Sequence, residues 1–262
     1  MLKLKKSIFL DTLRQPFKTA IVTAAKLGAD AVEINGRTEI KPGELSRTGV
    51  RHIRKLLSDQ QLSVSAIHFQ TNYGYGDLQL LDRRIEGTKV ALGMAYELGC
   101  SVVVNRIGKI AVDAADPSRI TMVQALSDIG NFSQKAGAWL AARTGADDGE
   151  TLKELIDALP VNSLGVDFDP AELVINGHSP TEAMQLLARS VTSCRARDAV
   201  TDVSLGRGVE VPLGKGAVDW PALLGALEQK SYGGYFTVHQ ENAGDPTMVC
   251  EESFGFLQEM FG

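Results

Sequence analysis

The chain has 262 residues, of which 44% are hydrophobic and 23% charged, so it can build a core of ordinary size. Its net charge of −5 and isoelectric point near 5.5 argue against a general nucleic-acid or membrane binder. No run of 18 apolar residues is present, so no transmembrane helix is expected. Three widely spaced cysteines, Cys100, Cys194 and Cys250, indicate neither a disulfide framework nor a structural zinc site and favour a reducing, cytoplasmic location.

In the first half of the chain, short β-rich runs alternate with helical patterns. Apolar and β-branched runs predict strands over residues 3–10, 29–35, 62–69 and 100–105. Apolar residues at helical spacing predict helices over 17–27, 42–58, 80–98 and 117–136. Prolines near the starts and glycines just after the ends of several of these segments support the assignments.

The second half repeats this alternation. Strands are predicted over 138–143, 163–169, 190–197 and 233–240, although the alanines of 138–143 favour a helix on propensity alone. Helices are predicted over 150–159, 180–189, 221–230 and 246–261. Between the seventh strand and Trp220 the chain is polar and rich in glycine, which predicts a long loop.

Eight strands alternating with eight helices, without a break in composition, indicate a single (β/α)8 TIM barrel domain over residues 1–262. The alternative is a doubly wound open sheet. That fold would carry a glycine-rich phosphate-binding turn after the first strand, but residues 11–16 contain no glycine.

Polar residues occupy nearly every predicted strand end. In a barrel, the carboxyl ends of the strands build the active site, so these side chains are expected to line one polar pocket. They are Glu33, His68, Asn105, Arg106, Arg143, Asp167, Asp169, Arg195, Arg197, His239 and Glu241.

Five of these residues need a closer look at their surroundings. Glu33 should point into the barrel and needs a partner, for which the arginines are candidates. His68 fits either a pocket or a hydrogen-bonded core. Asn105 and Arg106 are neighbours in an extended run, so only one of them can face the pocket. Asp169 could serve the site or simply begin a helix.

Several segments of the sequence carry a resemblance to a known family. They read L-G-A-D-A-V-E at 27–33, L-G-V-D-F-D-P at 164–170, R-D-A at 197–199, V-P-L-G-K-G-A-V-D-W at 211–220 and G-G-Y-F at 233–236. In their order along the chain and in their residues, these segments resemble the sugar phosphate isomerase/epimerase family of the xylose isomerase-like barrels. The segment at 211–220 is the motif most specific to that family. The resemblance covers essentially the whole chain and implies proton transfer next to a carbonyl of a sugar.

The resemblance also implies a metal site. In this family a divalent metal such as Mn, Mg or Zn is usually held by Glu, Asp, His and Glu after strands five to eight. Those positions fall on Arg143, Asp169, Arg195 and His239, and Arg197 takes the place of a lysine. Arginine offers no lone pair, and two guanidinium groups would repel a divalent ion. We therefore expect no metal cofactor.

Two functions remain open at this stage. The first is a sugar or sugar-phosphate isomerase or epimerase in which arginines replace the metal as electrophile or anion clamp. Its proton carriers would be Glu33, Asp169, His239 or Glu241, and its substrate contacts His68, Asn105, Arg143, Arg195, Arg197 and Lys215. The second is a non-catalytic barrel that binds an acidic sugar or a protein partner, with arginines and carboxylates merely paired in the interior. Either could form a homo-oligomer.

Overall fold

Eight parallel strands close into a barrel in the computed structural model, which describes residues 2–202, 207–240 and 244–261. The barrel strands are β1 (Lys6–Phe9), β2 (Ala31–Asn35), β3 (Ser63–His68), β4 (Val102–Asn105), β5 (Trp139–Arg143), β6 (Gly165–Phe168), β7 (Val191–Ala196) and β10 (Phe236–Val238). Since β1 pairs with both β2 and β10, the barrel is closed. The predicted (β/α)8 fold is confirmed and the open-sheet alternative is wrong.

Helices connect successive barrel strands and cover the outside. They are α1 (Phe17–Lys26), α2 (Arg47–Asp59), α3 (Leu81–Glu97), α4 (Pro117–Ala136), α5 (Gly149–Ala158), α6 (Pro170–Ile175), α7 (Pro180–Leu187), α8 (Trp220–Gln229) and α9 (Pro246–Phe261). The second helix begins later than predicted because the Ser46 side chain accepts a hydrogen bond from Gly49 N and caps it there. Within the described residues, no helix is both long enough and apolar enough to cross a membrane.

An antiparallel hairpin stands where the sequence predicted a loop. Its strands are β8 (Asp198–Asp202) and β9 (Arg207–Val211), inserted between β7 and α8. The hairpin packs on α6, and a Cβ at Gly208 would lie 2.7 Å from the Cα of Ile175. Glycine at this position lets the two backbones approach, which anchors the hairpin beside the barrel mouth.

The glycine-rich segment after the hairpin is a turn organised by Asp198. The Asp198 carboxylate accepts hydrogen bonds from the backbone N–H groups of Ala199, Gly214 and Val218, at 2.9, 3.1 and 3.2 Å. A Cβ at Gly216 would overlap this carboxylate. The most family-specific segment of the sequence therefore has a structural explanation.

The inside of the barrel is polar along much of its length. Ser7 and Ser65 share a hydrogen bond of 2.7 Å in the interior, and Thr237 is also fully buried. Charged side chains occupy the carboxyl ends of the same strands. The apolar core lies mainly between the strands and the surrounding helices. The polar side chains of the candidate site therefore lie inside the barrel, at the carboxyl ends of the strands.

Candidate functional site

A network of buried charges fills the carboxyl end of the barrel. At its centre, the guanidinium of Arg195 in β7 is fully buried between two carboxylates. Its Nε donates to both oxygens of Asp167, at 3.1 and 3.0 Å, and its Nη2 donates to Glu33 Oε1 at 2.8 Å. Arg143 adds a hydrogen bond from Nε to Asp167 Oδ2 at 2.9 Å. Because Nε and Nη2 bind two different carboxylates, the guanidinium of Arg195 is held in one orientation.

These contacts keep both carboxylates ionised. Burial by itself raises the pKa of Asp167, but Arg195 and Arg143 outweigh burial and hold it well below its ordinary value. Burial also raises the pKa of Glu33, but Arg195 and a hydrogen bond with His68 bring it below its usual value. Conversely, the two carboxylates raise the pKa of Arg195 despite burial. All three groups are charged at neutral pH.

A second ionic group joins the barrel to the hairpin. Arg197 Nη1 donates to Asp169 Oδ2 at 2.7 Å, and Arg197 Nε donates to Glu210 Oε1 at 2.8 Å. Asp169 Oδ1 also accepts from the backbone N–H of Glu172 at 3.1 Å and caps α6. Asp169 therefore begins a helix, as one of the two predicted roles has it, and also holds Arg197.

His68 lies at the rim of this network, with its ring between a carboxylate and a guanidinium. Its Nδ1 is 3.2 Å from Glu33 Oε1 and 3.3 Å from Arg143 Nη2, and its Nε2 is 3.4 Å from Gln70 Oε1. Burial lowers the pKa of His68; the hydrogen bond with Glu33 opposes this, and Arg143 adds to it. The net shift is downward, so the imidazole is neutral at pH 7.

His239 is a second buried imidazole, directly after β10. The Phe9 ring contacts both histidines, with ring centroids 4.9 Å from His68 and 4.8 Å from His239. Burial and the nearby Arg143 and Arg195 lower the pKa of His239 well below its ordinary value. Two neutral imidazoles therefore contact one aromatic ring.

Asn105 and Arg106 take different directions, as their alternation predicts. Asn105 is buried beneath the loop that follows β3, where its Nδ2 donates to Tyr75 Oη at 2.9 Å and its Oδ1 accepts from Thr71 N at 3.3 Å. Arg106 turns to Glu172, with Nη2 2.6 Å from Oε1. In this arrangement Asn105 supports the loop rather than forming an exposed wall.

One predicted site residue, Lys215, stands apart from the network. Lys215 is exposed in the turn that Asp198 organises, and no hydrogen bond among the described residues links its side chain to the buried charges. Its contact with substrate stays a prediction. Glu241 lies outside the described residues.

An open cleft of about 580 Å³ lies over the β2 and β3 ends of the barrel. Its lining residues are Asn35, Arg37, His68, Gln70, Thr71 and Asn72. A smaller cleft of about 140 Å³ reaches Arg143 from the β4 and β5 side. Sequence reasoning missed Arg37 because it lies beyond a strand end, in a loop with no distinctive pattern. A cleft of about 510 Å³ at the opposite end of the barrel contains none of the network residues.

The fold and the cluster of polar groups at the strand ends define a TIM barrel with a candidate binding site at its carboxyl end. Residues 21–260 match the profile of the xylose isomerase-like TIM barrels. The chain belongs to this family. No curated protein sequence is significantly similar to it.

Solved structures of the same fold cover nearly the whole chain. A xylose isomerase domain protein from Planctomyces limnophilus is 22% identical with a TM-score of 0.84, covering 99% of this chain and 96% of that one. A xylose isomerase-like TIM barrel protein from Mycobacterium smegmatis in complex with magnesium is 14% identical, TM-score 0.78, covering 98% and 96%. D-allulose 3-epimerase from Methylomonas sp. in complex with D-allulose is 15% identical, TM-score 0.75, covering 99% and 98%.

The side chains of this chain do not fit the metal site that the resemblance implies. Arg143 and Arg195 stand at two of the expected ligand positions, and Asp169, at a third, is held by Arg197. Across the described ranges, no group of three or more His, Cys, Asp or Glu side chains is placed to hold a metal ion. The carboxylates that remain have guanidinium partners, which a metal would have to displace.

Proposed function

We propose that this chain catalyses isomerisation or epimerisation of a small sugar-like α-hydroxycarbonyl compound, with His68 as the proton carrier and without a divalent metal. The observation that carries the proposal is the contact of His68 with both Glu33 and Arg143, at the wall of an open polar cleft. A neutral base beside a fixed cation is what proton removal next to a carbonyl requires.

Glu33 would position the base rather than move the proton itself. Its pKa is below the ordinary value and its Oε1 already accepts from Arg195, so it is a weak base. A hydrogen bond from His68 Nδ1–H to Glu33 Oε1 leaves the lone pair on Nε2, on the Gln70 side facing the cleft. A substrate hydroxyl or C–H would then meet Nε2 in place of the Gln70 amide.

Arg143 would stabilise the oxyanion that forms when the proton leaves. Its Nη2 lies 3.3 Å from His68 Nδ1. Because Nδ1–H donates to Glu33, this nitrogen cannot accept from Arg143, so Nη2 is left for the oxyanion. Its Nε is committed to Asp167, so the guanidinium is held in one orientation. A preorganised cation in a buried site stabilises developing negative charge without reorganising at the moment of reaction.

His239 would act on the opposite face of the reacting carbon. Epimerisation needs proton removal on one face and delivery on the other, and both histidines contact the Phe9 ring. Delivery by His239 requires its imidazolium form, whereas removal in the reverse direction requires the neutral form, which is the form present at pH 7. Of the four proton carriers predicted from the sequence, His239 keeps that role, whereas Glu33 and Asp169 become positioning groups.

Solvent proton exchange tests the proposal. Ketohexoses, their phosphates and uronates are incubated with the protein in deuterated water, and deuterium at the carbon next to the carbonyl is measured by NMR. We expect exchange with the natural protein, a loss of at least about 100-fold in H68Q, and no change in H52Q, since His52 is exposed on α2. No exchange across the panel, or full exchange in H68Q, contradicts the proposal.

The second candidate is a barrel that binds a sugar without converting it. It is favoured by the pairing of Glu33, Asp167 and Asp169 with arginines, which leaves none of these carboxylates as a proton carrier. Sugar binding without exchange in the same experiment would support this candidate over the enzyme.

A further inference from the structure

Arg37 differs from the other arginines around the barrel mouth. Arg143, Arg195 and Arg197 each form an ion pair with a buried carboxylate, and Arg106 pairs with Glu172. For Arg37, no carboxylate oxygen among residues 2–202, 207–240 and 244–261 lies within ion-pair distance. Its positive charge is therefore not neutralised within the described part of the chain.

The Arg37 side chain is nevertheless held in place. Its guanidinium carbon lies 3.9 Å from the ring centroid of Phe69, and its Nε donates to the carbonyl oxygen of Gln70 at 2.9 Å. The backbone is held as well, since Asn35 Oδ1 accepts from Arg37 N at 2.8 Å and from Thr38 N at 3.2 Å. A side chain fixed before binding loses less entropy when a ligand arrives.

The surroundings of Arg37 suit an anion. The other side chains that line its cleft are uncharged amides, a hydroxyl and the neutral His68: Asn35, His68, Gln70, Thr71 and Asn72. Burial lowers the pKa of Arg37, whereas carboxylate partners raise the pKa of Arg195 and Arg197. The terminal nitrogens of Arg37 make none of the hydrogen bonds found among the described residues, so they are available to a ligand.

We propose that Arg37 binds the carboxylate or phosphate of the substrate, which makes the substrate an acidic sugar or a sugar phosphate rather than a neutral sugar. This inference rests on the proposed function for the location of the reacting carbon at His68. Gln70 connects the anion-binding Arg37 to the proton carrier His68. Its carbonyl accepts a hydrogen bond from Arg37, and its side chain lies next to His68 Nε2. The anion-clamp role expected of Arg143 and Arg195 passes to Arg37, since Arg195 is committed to two carboxylates and Arg143 is assigned to the oxyanion at the reacting carbon.

Paired ligands test the inference. Binding of D-fructose, D-fructose 6-phosphate and D-glucuronate is measured by calorimetry for the natural protein, R37Q, R37K and R51Q. We expect at least one charged probe to bind about tenfold or more tighter than D-fructose. R37Q should abolish this preference without weakening D-fructose binding, and R37K should keep part of it. R51Q, at an exposed position on α2, should behave like the natural protein.

The result also separates this inference from the proposed reaction. Equal binding of charged and neutral probes, absence of binding by both charged probes, or a preference that survives in R37Q overturns the role of Arg37. A preference for charged probes that depends on Arg37, without any proton exchange, supports anion binding by Arg37 and contradicts the proposed isomerase or epimerase activity. The difference between phosphate and glucuronate shows which anion the site accepts, and H68Q should leave the preference intact.

Discussion

Arg195 and Glu33 lie 162 residues apart in the sequence, yet Arg195 Nη2 donates a 2.8 Å hydrogen bond to Glu33 Oε1 across the inside of the barrel. Both side chains are fully buried. The same guanidinium binds Asp167 in the neighbouring strand β6, so one cation connects β2, β6 and β7. Its removal would leave two carboxylates in the interior with fewer partners.

We predict that R195M lowers the free energy of unfolding by roughly 3–5 kcal/mol, because it leaves the buried Glu33 carboxylate without a guanidinium partner and Asp167 with Arg143 alone. Urea denaturation measures the loss. The double variant R195M/E33Q should recover part of it, since the glutamine is neutral. K153M is the control, because it breaks only the surface pair with Asp157 and should cost less than about 1 kcal/mol. A loss in R195M no larger than in K153M would contradict the prediction.

The contacts of Arg197 predict a change in local stability at the hairpin. Arg197 joins Asp169 at the end of β6 to Glu210 in β9. We expect R197M to speed amide hydrogen exchange over 198–202 and 207–211 while exchange in β3 and β4 stays unchanged. R189M serves as the control, since Arg189 is exposed at the other end of the barrel. Equal protection of the hairpin in R197M and the natural protein would show that these ion pairs do not hold it.

The barrel could be predicted because its alternation of strands and helices is regular and its strand ends are polar. The alanines of β5 were the weakest signal, and helical propensity would have misassigned them. Ala141 lies between Val104 of β4 and Gly165 of β6, where small side chains fit a closed sheet. Pairing with neighbours outweighs intrinsic preference in a strand of this kind.

The partners of the charged residues could be predicted only in part from the same pattern. The sequence suggested that Arg143 and Arg195 pair with Asp169 and Glu33. Arg195 does pair with Glu33, but Arg143 pairs with Asp167, and Asp169 pairs with Arg197. Register decides this, since Arg143 lies directly opposite Asp167 in the β5–β6 pair. The hairpin of β8 and β9 was not predicted, because its polar, glycine-rich composition is also typical of a loop.

Two helical glycines predict opposite effects of the same substitution. A Cβ at Gly130 in α4 would overlap the side chain of Ser163, whereas a Cβ at Gly93 in α3 meets nothing within 4 Å. We expect G130A to lower the free energy of unfolding by about 1–3 kcal/mol through overpacking. G93A should raise it by about 0.5–1 kcal/mol, since alanine favours the helix. Thermal and urea unfolding check both, and a G130A that is as stable as G93A would contradict the packing argument.

Glu39 predicts a dependence of stability on pH. Burial raises the pKa of its carboxyl to about 7, although a hydrogen bond from Asn35 N favours the ionised form. The folded pKa is above the unfolded value of about 4.3, so the folded state binds the proton more tightly. The contribution of Glu39 to the free energy of unfolding is therefore greatest below about pH 4. It is lost as the pH rises towards and through 7, by an amount on the order of 3 kcal/mol.

The variant E39Q tests this sign, because glutamine stays neutral and can still accept from Asn35 N. Relative to E39Q, the natural protein should lose stability between pH 5 and pH 8 in urea denaturation. E44Q is the control, since Glu44 is exposed in the same loop. A difference between the natural protein and E39Q that stays constant over this pH range would show that Glu39 does not titrate near 7.

The ionic network predicts that divalent metals do not stabilise this chain. A ligand that binds only the folded state stabilises it by RT ln(1 + L/Kd), where L is the ligand concentration, so the melting temperature rises once L exceeds Kd. Because Glu33, Asp167 and Asp169 are bound to arginines, a metal would have to break these ion pairs to reach them. We therefore expect no shift in melting temperature with millimolar Mn²⁺, Mg²⁺ or Zn²⁺, and no loss on treatment with EDTA. Stoichiometric metal in the purified protein, together with a stabilisation that D169N removes, would contradict this prediction and restore the metal site that the family resemblance implies.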